Sequence, residues 1–297
     1  MYTPEVPYLN HLREILCGEL TENRTGVKTY RILGLQNRYA FNYGFPLFTT
    51  KKMYWKGIVH ELLWFLKGDT NIKYLVDNKV NIWNDDAYRH YCKIDGRLSK
   101  EEFIQKAGEY NTEGGYRYGD LGPIYGAQWR SYTTDDRLFQ VDQITELIHG
   151  LKTDPTSRRH IITAWNPGEI NQMALPPCHV LAQFTVTYGN TLWCQMYQRS
   201  CDMFLGVPFN VASYSLLTYM LAHVTGLKPG GFIWTGHDCH IYENHKDAAI
   251  EQMKREVFQF PQLKINPSVK NLDDFRFEDF ELVDYQSHET IKADLVT

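Results

Sequence analysis

The chain has 297 residues with 31 basic and 35 acidic side chains, a net charge of -4 and an isoelectric point near 6.3. That balance gives no global field to attract nucleic acid, and no apolar run approaches the length that spans a membrane. Hydrophobic residues make up 43% and charged residues 22%, which predicts one large globular domain over residues 1–297 with a substantial core.

Residues 8–20 have helical periodicity, with Leu9, Leu12, Ile15, Leu16 and Leu20 on one face. A polar loop at 21–26 leads to residues 28–43, whose β-branched and aromatic alternation reads as one or two strands. Residues 53–66 read as a buried helix ended by Gly68, 70–78 as a short helix and 80–83 as extended. Residues 87–118 are more polar, hold two helix-like pieces and a break at Gly114 and Gly115, and read as a surface insertion. Residues 120–129 read as loop, 138–151 as an amphipathic helix, 155–159 as a turn and 160–165 as a strand. Two alternating runs flank Gly189 and Asn190, the signature of a hairpin. Residues 208–227 form a long helix, 231–239 a strand, 242–256 a helix, and 263–265 and 277–283 late strands. Adjacent runs of strands with helices between them predict an α+β fold with a mixed or antiparallel sheet.

The six cysteines are scattered without a C-x-x-C pair, and Glu5, His11, Arg13 and Glu14 interrupt any apolar leader. Both features point to a reducing, cytoplasmic setting. The chemistry concentrates in residues 175–210. Cys178 follows Pro176 and Pro177 and precedes His179. A thiolate suits addition to an electron-poor carbon and needs a nearby cation or oriented donors to form. Arg199, one hairpin away, is such a cation. Burial as a structural thiol is the competing role, and it suits Cys194 and Cys201.

Arg158 and Arg159 after Ser157, and Arg24 in a Thr/Gly loop, carry forked guanidinium groups suited to phosphate; solvated turn charges are the plainer reading. The Asn210 amide pairs a donor with an acceptor, matching O4 and N3–H of uracil, whereas cytosine presents an amino donor; helix N-capping is the alternative. His60-Glu61 opens a zinc-like H-E-x-x-H, but Trp64 stands where the second His belongs. Glu61 among Leu62, Leu63 and Trp64 is costly to bury, so it is either a proton carrier with a raised pKa or half of an ion pair. His240 and Tyr242 alternate at a strand end and suit a sugar hydroxyl. With Cys239 and His245 they have no metal-ligand spacing, and no metal is expected. Neither G-x-G-x-x-G nor a Walker loop occurs.

Together these pieces resemble the thymidylate synthase family across nearly the whole chain. The matching stretches are residues 23–26 (NRTG), 48–51 (FTTK), 61–66 (ELLWFL), 68–71 (GDTN), Tyr125-Gly126, Ser157-Arg158-Arg159, Pro177-Cys178-His179, 198–210 (QRSCDMFLGVPFN), His240-Ile241-Tyr242 and 276–281 (RFEDFE). The resemblance implies a homodimer paired sheet to sheet, dUMP as substrate and methylene-tetrahydrofolate as one-carbon donor. It implies that Cys178 adds to the pyrimidine, that Arg24, Arg199 and Ser200 hold the phosphate, and that Arg158 and Arg159 reach it from the other subunit. Asn210 and Gln198 would serve the uracil edge, and His240 and Tyr242 the sugar 3'-hydroxyl. Asp202 would bind the pterin, Trp83 and Phe209 would line the folate, and Lys51 would meet its glutamate tail. Glu61 would move protons, and Tyr125 and His179 would line the reacting site.

The chain departs from the family pattern at Asn84 and Asp86, where Asp and Trp are usual, at His237 in place of Gly, and in its tail through Asp294 to Thr297. Such changes suit a wetter folate site. They raise dUMP hydroxymethylation, in which water ends the reaction and tetrahydrofolate leaves unoxidised, as an alternative to methylation. A noncatalytic nucleotide- or RNA-binding role is the remaining alternative, and the acidity of the chain speaks against it.

Overall fold

The computed structural model describes residues 3–133, 139–294 and 296. Helix α1 (Val6–Leu16) stops earlier than its periodicity predicts. Gly18 follows it, where an added Cβ would lie 2.4 Å from the Arg31 carbonyl oxygen. The chain turns there into β1 (Glu19–Thr21), a short strand within the predicted helix and loop that pairs antiparallel with β2 (Thr29–Ala40). Helix α2 (Trp55–Leu66) is buried from Gly57 to Leu66, as an all-round apolar helix must be. Helix α3 (Lys73–Asp77) is shorter than predicted, because the Asn71 side chain accepts from the Lys73 N–H and starts it late. Residues 80–83 are not extended; Ile82 and Trp83 turn directly into α4 (Asn84–Ile94). A Ser99–Glu102 capping box opens α5 (Lys100–Gln105), and β3 (Tyr110–Asn111) pairs with β4 (Tyr116–Arg117) around the two glycines.

Residues 120–129 are not all loop, since α6 covers Tyr125–Arg130. Then come β5 (Tyr132–Thr133), β6 (Gln140–Val141) and α7 (Gln143–Thr153). Leu138, the predicted start of that helix, lies outside the described residues. Strand β7 (Ile161–Thr163) precedes the expected hairpin of β8 (His179–Thr187) and β9 (Thr191–Asp202), closed by Gly189 and Asn190 at φ 77° and 58°. Helix α8 (Gly206–Thr225) leads to β10 (Lys228–Tyr242), which runs further than predicted and takes in His240 and Tyr242. A 3-10 turn precedes α9 (Lys246–Met253), and two more, Leu272–Asp274 and Phe277–Asp279, separate β11 (Gln262–Ile265) from β12 (Phe280–Val283), so the late strand starts at Phe280 and not at 277.

The main sheet has the order β1-β2-β10-β9-β8-β7. Strand β10 is antiparallel to β2 and parallel to β9, and β9 is antiparallel to β8. The fold is therefore α+β with a mixed sheet, as the sequence predicts. The chain divides into two compact units, one of the chain up to Trp55, Ile148–Ile161 and the chain from Cys178 onward, the other of Lys56–Leu147 and Ile162–Pro177.

In the first unit α8 packs on β9 and β10, and α1 on β2 and β10. Phe184, Met196, Phe232 and Trp234 are fully buried, while Gln36, Arg38, Gln195 and Tyr197 alternate with buried neighbours and are exposed, a one-sided pattern common in antiparallel pairing. Buried Glu5 ties the start of the chain to the 48–51 stretch, its carboxylate accepting from the N–H and hydroxyl of both Thr49 and Thr50. In the second unit, residues 87–118 build a small aromatic core of their own, with Tyr91 stacked on Phe103 at 4.8 Å and Tyr116 and Tyr118 beside it.

Gly126 explains why α6 reads as loop. A Cβ there would lie 2.7 Å from the carbonyl oxygen of Phe65, so the glycine permits backbone contact with α2 and does not mark a break. Gly126→Ala should destabilise the protein by about 1–3 kcal/mol through overpacking, read as a lower thermal midpoint; an unchanged midpoint would refute the contact.

Candidate active site

Cys178 is the residue just before β8. Its carbonyl accepts from the Arg199 N–H at 2.8 Å, and the next residue, His179, pairs with Gln198 in the ladder. The thiol therefore sits opposite the end of β9, which supplies Arg199, Ser200 and Asp202. Strand β10 runs parallel alongside, with Asp238 opposite Ser200 and His240 opposite Asp202. Three strands thus bring their predicted site residues to one edge of the sheet.

Solvation separates the thiols. Cys178 is half-exposed, Cys194, Cys201 and Cys239 are buried, and none is in a disulfide. Burial pushes the Cys194 and Cys201 thiols well up, with Cys239 adding to the effect at Cys201. His179 is buried, and its Nδ1 lies 2.8 Å from the Tyr214 hydroxyl. Desolvation lowers its pKa to about 3, so the ring is neutral near pH 7. Tyr214 has no sequence signal beyond being a polar residue inside a long apolar helix.

Asn210 lies inside α8, whose N-cap is Leu205, so the capping alternative fails. Its Oδ1 accepts from Gln198 Nε2 at 3.1 Å. The entry to α8 is instead organised by Asp202, whose Oδ1 accepts the N–H groups of Phe204 and Leu205. Phe209 is half-buried in the first turn of that helix. His240 Nδ1 lies 3.1 Å from the Asp238 carboxylate, and this contact holds that carboxyl below its ordinary range against the opposing effect of burial. The Tyr242 phenol is pushed up to about 12, first by burial and then by Asp202; Arg24 pulls the other way and Cys178 adds a smaller upward push. Tyr242 therefore feels the predicted phosphate arginine, the predicted pterin carboxylate and the thiol together.

Arg24, Arg158 and Arg159 are exposed. Lys51 is not placed as expected. It is only 6% exposed, its Nζ donates to the Phe204 carbonyl and lies 3.8 Å from that ring's centre, and desolvation lowers its pKa to about 8. An ammonium held this way presents no charge to a polyanionic tail; Lys52 is its exposed neighbour.

In the second unit, the Trp83 indole donates to Glu61 Oε1 at 2.7 Å, so among the described residues Glu61 has an indole partner and not the ion pair of the alternative reading. Tyr125 is buried beside Phe65 and Trp83, with ring centres 4.9 and 6.1 Å away. Asn84 is buried with its Oδ1 lacking a hydrogen-bond partner, and buried Asp86 is paired with Arg89 at 2.9 Å. His237 is exposed, the Asp294 carbonyl faces His245 Nε2 at 2.7 Å, and Thr297 lies outside the described residues.

The thymidylate synthase family model matches residues 6–297. The chain belongs to the thymidylate synthase family. It is 52% identical to the thymidylate synthase of Malacoplasma penetrans (strain HF-2) over 278 residues, 93% of this chain and 94% of that one. It is 49% identical to the thymidylate synthase of Mycoplasma mobile (strain ATCC 43663 / 163K / NCTC 11711) over 290 residues, 96% of this chain and 98% of that one. Among the described residues no group of three or more His, Cys, Asp or Glu side chains is arranged to hold a metal ion, and no helix is long and apolar enough to cross a membrane.

Burial raises the Glu61 pKa from 4.5 to about 7, against the lowering effect of the Trp83 hydrogen bond. A carboxyl that holds its proton more tightly in the folded than in the unfolded chain stabilises the fold below pH about 4.5 and loses that contribution as pH rises through about 7. Its loss is worth about 3 kcal/mol at most. Unfolding free energies measured from pH 4 to 8 should therefore fall more steeply in the wild type than in Glu61→Gln; parallel curves would show that Glu61 does not titrate in this range.

Proposed function

We propose that this protein transfers a one-carbon unit from methylene-tetrahydrofolate to C5 of dUMP, giving dTMP and dihydrofolate. The observation that carries the reading is the half-exposed Cys178 tied at the backbone to Arg199, in a chain about half identical to two proteins named thymidylate synthase.

The Cys178 thiolate adds to C6 of the uracil ring, which makes C5 nucleophilic. C5 bonds to the folate's one-carbon unit, the C5 proton leaves, and elimination from the folate leaves an exocyclic methylene. Hydride from the same folate reduces that methylene to methyl, the folate becomes dihydrofolate, and the thiolate is expelled from C6. A carboxyl with a pKa of about 7 suits Glu61 to carry protons at neutral pH. Neutral His179 and buried Tyr125 line the reacting carbons. Arg24, Arg199 and Ser200 hold the phosphate, with Arg158 and Arg159 reaching it from a second copy of the chain. Asn210 reads the uracil edge, His240 and Tyr242 hold the 3'-hydroxyl, and Asp202, Phe209 and Trp83 receive the folate.

Water attacking the same methylene would give hydroxymethyl-dUMP. Of the departures that raised that alternative, Asp86 is paired with Arg89, and the names of both relatives favour methyl. The copies pair through the outer face of the sheet. Leu181 and Tyr197 are partly exposed there, beside a hollow of about 550 Å³ lined by Arg38, Gln183, Trp193, Gln195 and Ile233. An apolar patch with polar surroundings suits a protein–protein contact.

With dUMP and methylene-tetrahydrofolate, near-ultraviolet absorbance should rise as dihydrofolate forms, and the nucleotide should gain one methyl group by mass. Cys178→Ser should slow turnover by more than about a thousandfold. A hydroxymethylated nucleotide without the absorbance change would overturn the methyl reading. Sedimentation should give twice the chain mass, and Leu181→Glu should move the protein toward monomer; a wild type that is monomeric at micromolar concentration would remove the paired-sheet arrangement.

A further inference from the structure

Gln198 is 2% exposed on β9 and bonded on both sides of its amide. Its Oε1 accepts from the Trp234 indole Nε1 at 3.0 Å. Its Nε2 donates to the Ser200 carbonyl and to Asn210 Oδ1, each at 3.1 Å. An indole N–H can only donate, and a backbone carbonyl can only accept. Turning the Gln198 amide over would set N–H against N–H and oxygen against oxygen in a buried place. Asn210 inherits this polarity. The atom it turns toward Gln198 must be Oδ1, which leaves its two Nδ2 hydrogens and one Oδ1 lone pair for a ligand. Reversed, the same amide would offer oxygen where a donor had been.

The strand register shows how the indole gets there. In the parallel ladder Trp234 opposes Met196, and Gly236 opposes Gln198. A Cβ added at Gly236 would fall 2.4 Å from Trp234 Cζ2. The fully buried indole leans along its own strand into the space a side chain at 236 would take, and its N–H thereby reaches one pair further, to Gln198.

We propose that Trp234, seated over Gly236, is a positioning residue for base selection: it anchors the Gln198 amide, and through it holds Asn210 in the sense that accepts uracil and refuses cytosine. The proposal rests on the reading of Asn210 as the base-reading group. Uracil offers an acceptor at O4 and a donor at N3; cytosine offers a donor at its amino group and an acceptor at N3. A fixed amide separates the two, and a mobile one separates them less.

The test is the ratio of dUMP to dCMP dissociation constants, measured by calorimetry on the full-length protein, with thermal melting in parallel. Trp234→Phe, and replacement of Trp234 by benzothienylalanine, which keeps the ring shape and removes only the N–H, should each cut the preference for dUMP by roughly threefold to tenfold, the worth of one lost hydrogen bond. Gly236→Ala, which displaces the indole, should do the same. A merely structural role would weaken both nucleotides together and leave the ratio alone. An unchanged ratio in the benzothienyl protein, alongside a reduced ratio in Asn210→Ala, overturns the role of Trp234 only. An unchanged ratio in Asn210→Ala overturns the base-reading assignment itself. Should Trp234→Phe fail to fold, the benzothienyl protein decides the matter.

Discussion

The site depends on β9 being paired differently on its two sides. In an antiparallel hairpin the first residues of one strand meet the last residues of the other, and so Cys178 faces Arg199. In a parallel pair both strands finish at the same edge, and so His240 reaches Asp202. The antiparallel pairing sets Cys178 beside Arg199, and the parallel pairing adds Asp238 and His240 of the third strand. A slip of one residue on either side would exchange the faces of every side chain involved, turning the buried face that carries Leu192, Cys194, Met196 and Gln198 toward the exposed side. The apolar positions of β9, Leu192, Cys194 and Met196, are all fully buried and hold that register.

Burial then assigns chemistry to residues of the same type. Three of the cysteines are sealed in the sheet and its packing, and half-exposed Cys178 is not. Nucleophilicity needs a thiolate, and an apolar interior suppresses one. Burial also acts on His179, lowering its pKa to about 3 and leaving the ring neutral against the Tyr214 hydroxyl. The basic residue paired with Cys178 at the backbone is Arg199.

Much of this was legible in the sequence, for physical reasons that can be named. The hairpin was visible because Gly189 and Asn190 tolerate positive φ between two alternating runs. Helix α8 was visible because its length and apolar content leave no alternative. Helix α6 does not show in the sequence because it has only six residues and includes Gly126, whose missing side chain serves a backbone contact. Strand β1 was missed because three residues are too few for a period to show. Residues 87–118 read as polar surface because a tyrosine counts as half-polar, yet buried Tyr91 and Phe103 pack as a core. The resemblance assigns Lys51 to a glutamate tail, whereas its long stem carries the ammonium inward to a carbonyl. Trp234 and Tyr214 were invisible as site residues, because each acts through one polar atom on a side chain that otherwise reads as core.

Two buried glutamates show where sequence reasoning stops. Glu5 and Glu61 are both almost wholly removed from water, and burial is the main cause raising the pKa of each. Glu5 receives four hydrogen bonds from Thr49 and Thr50, two on each oxygen. Every one of them lowers its pKa and binds two segments 44 residues apart. Glu61 receives the one indole N–H of Trp83, and its pKa settles at about 7. A carboxylate surrounded by donors is a structural anchor, since each proton it might take up would cost a bond already made. A carboxylate with one donor can exchange its proton near neutrality at little structural cost, which suits it to general acid–base work. The apolar neighbours of Glu61 announced a buried acid. Its role depends on how many donors reach it, and that number is set by the fold.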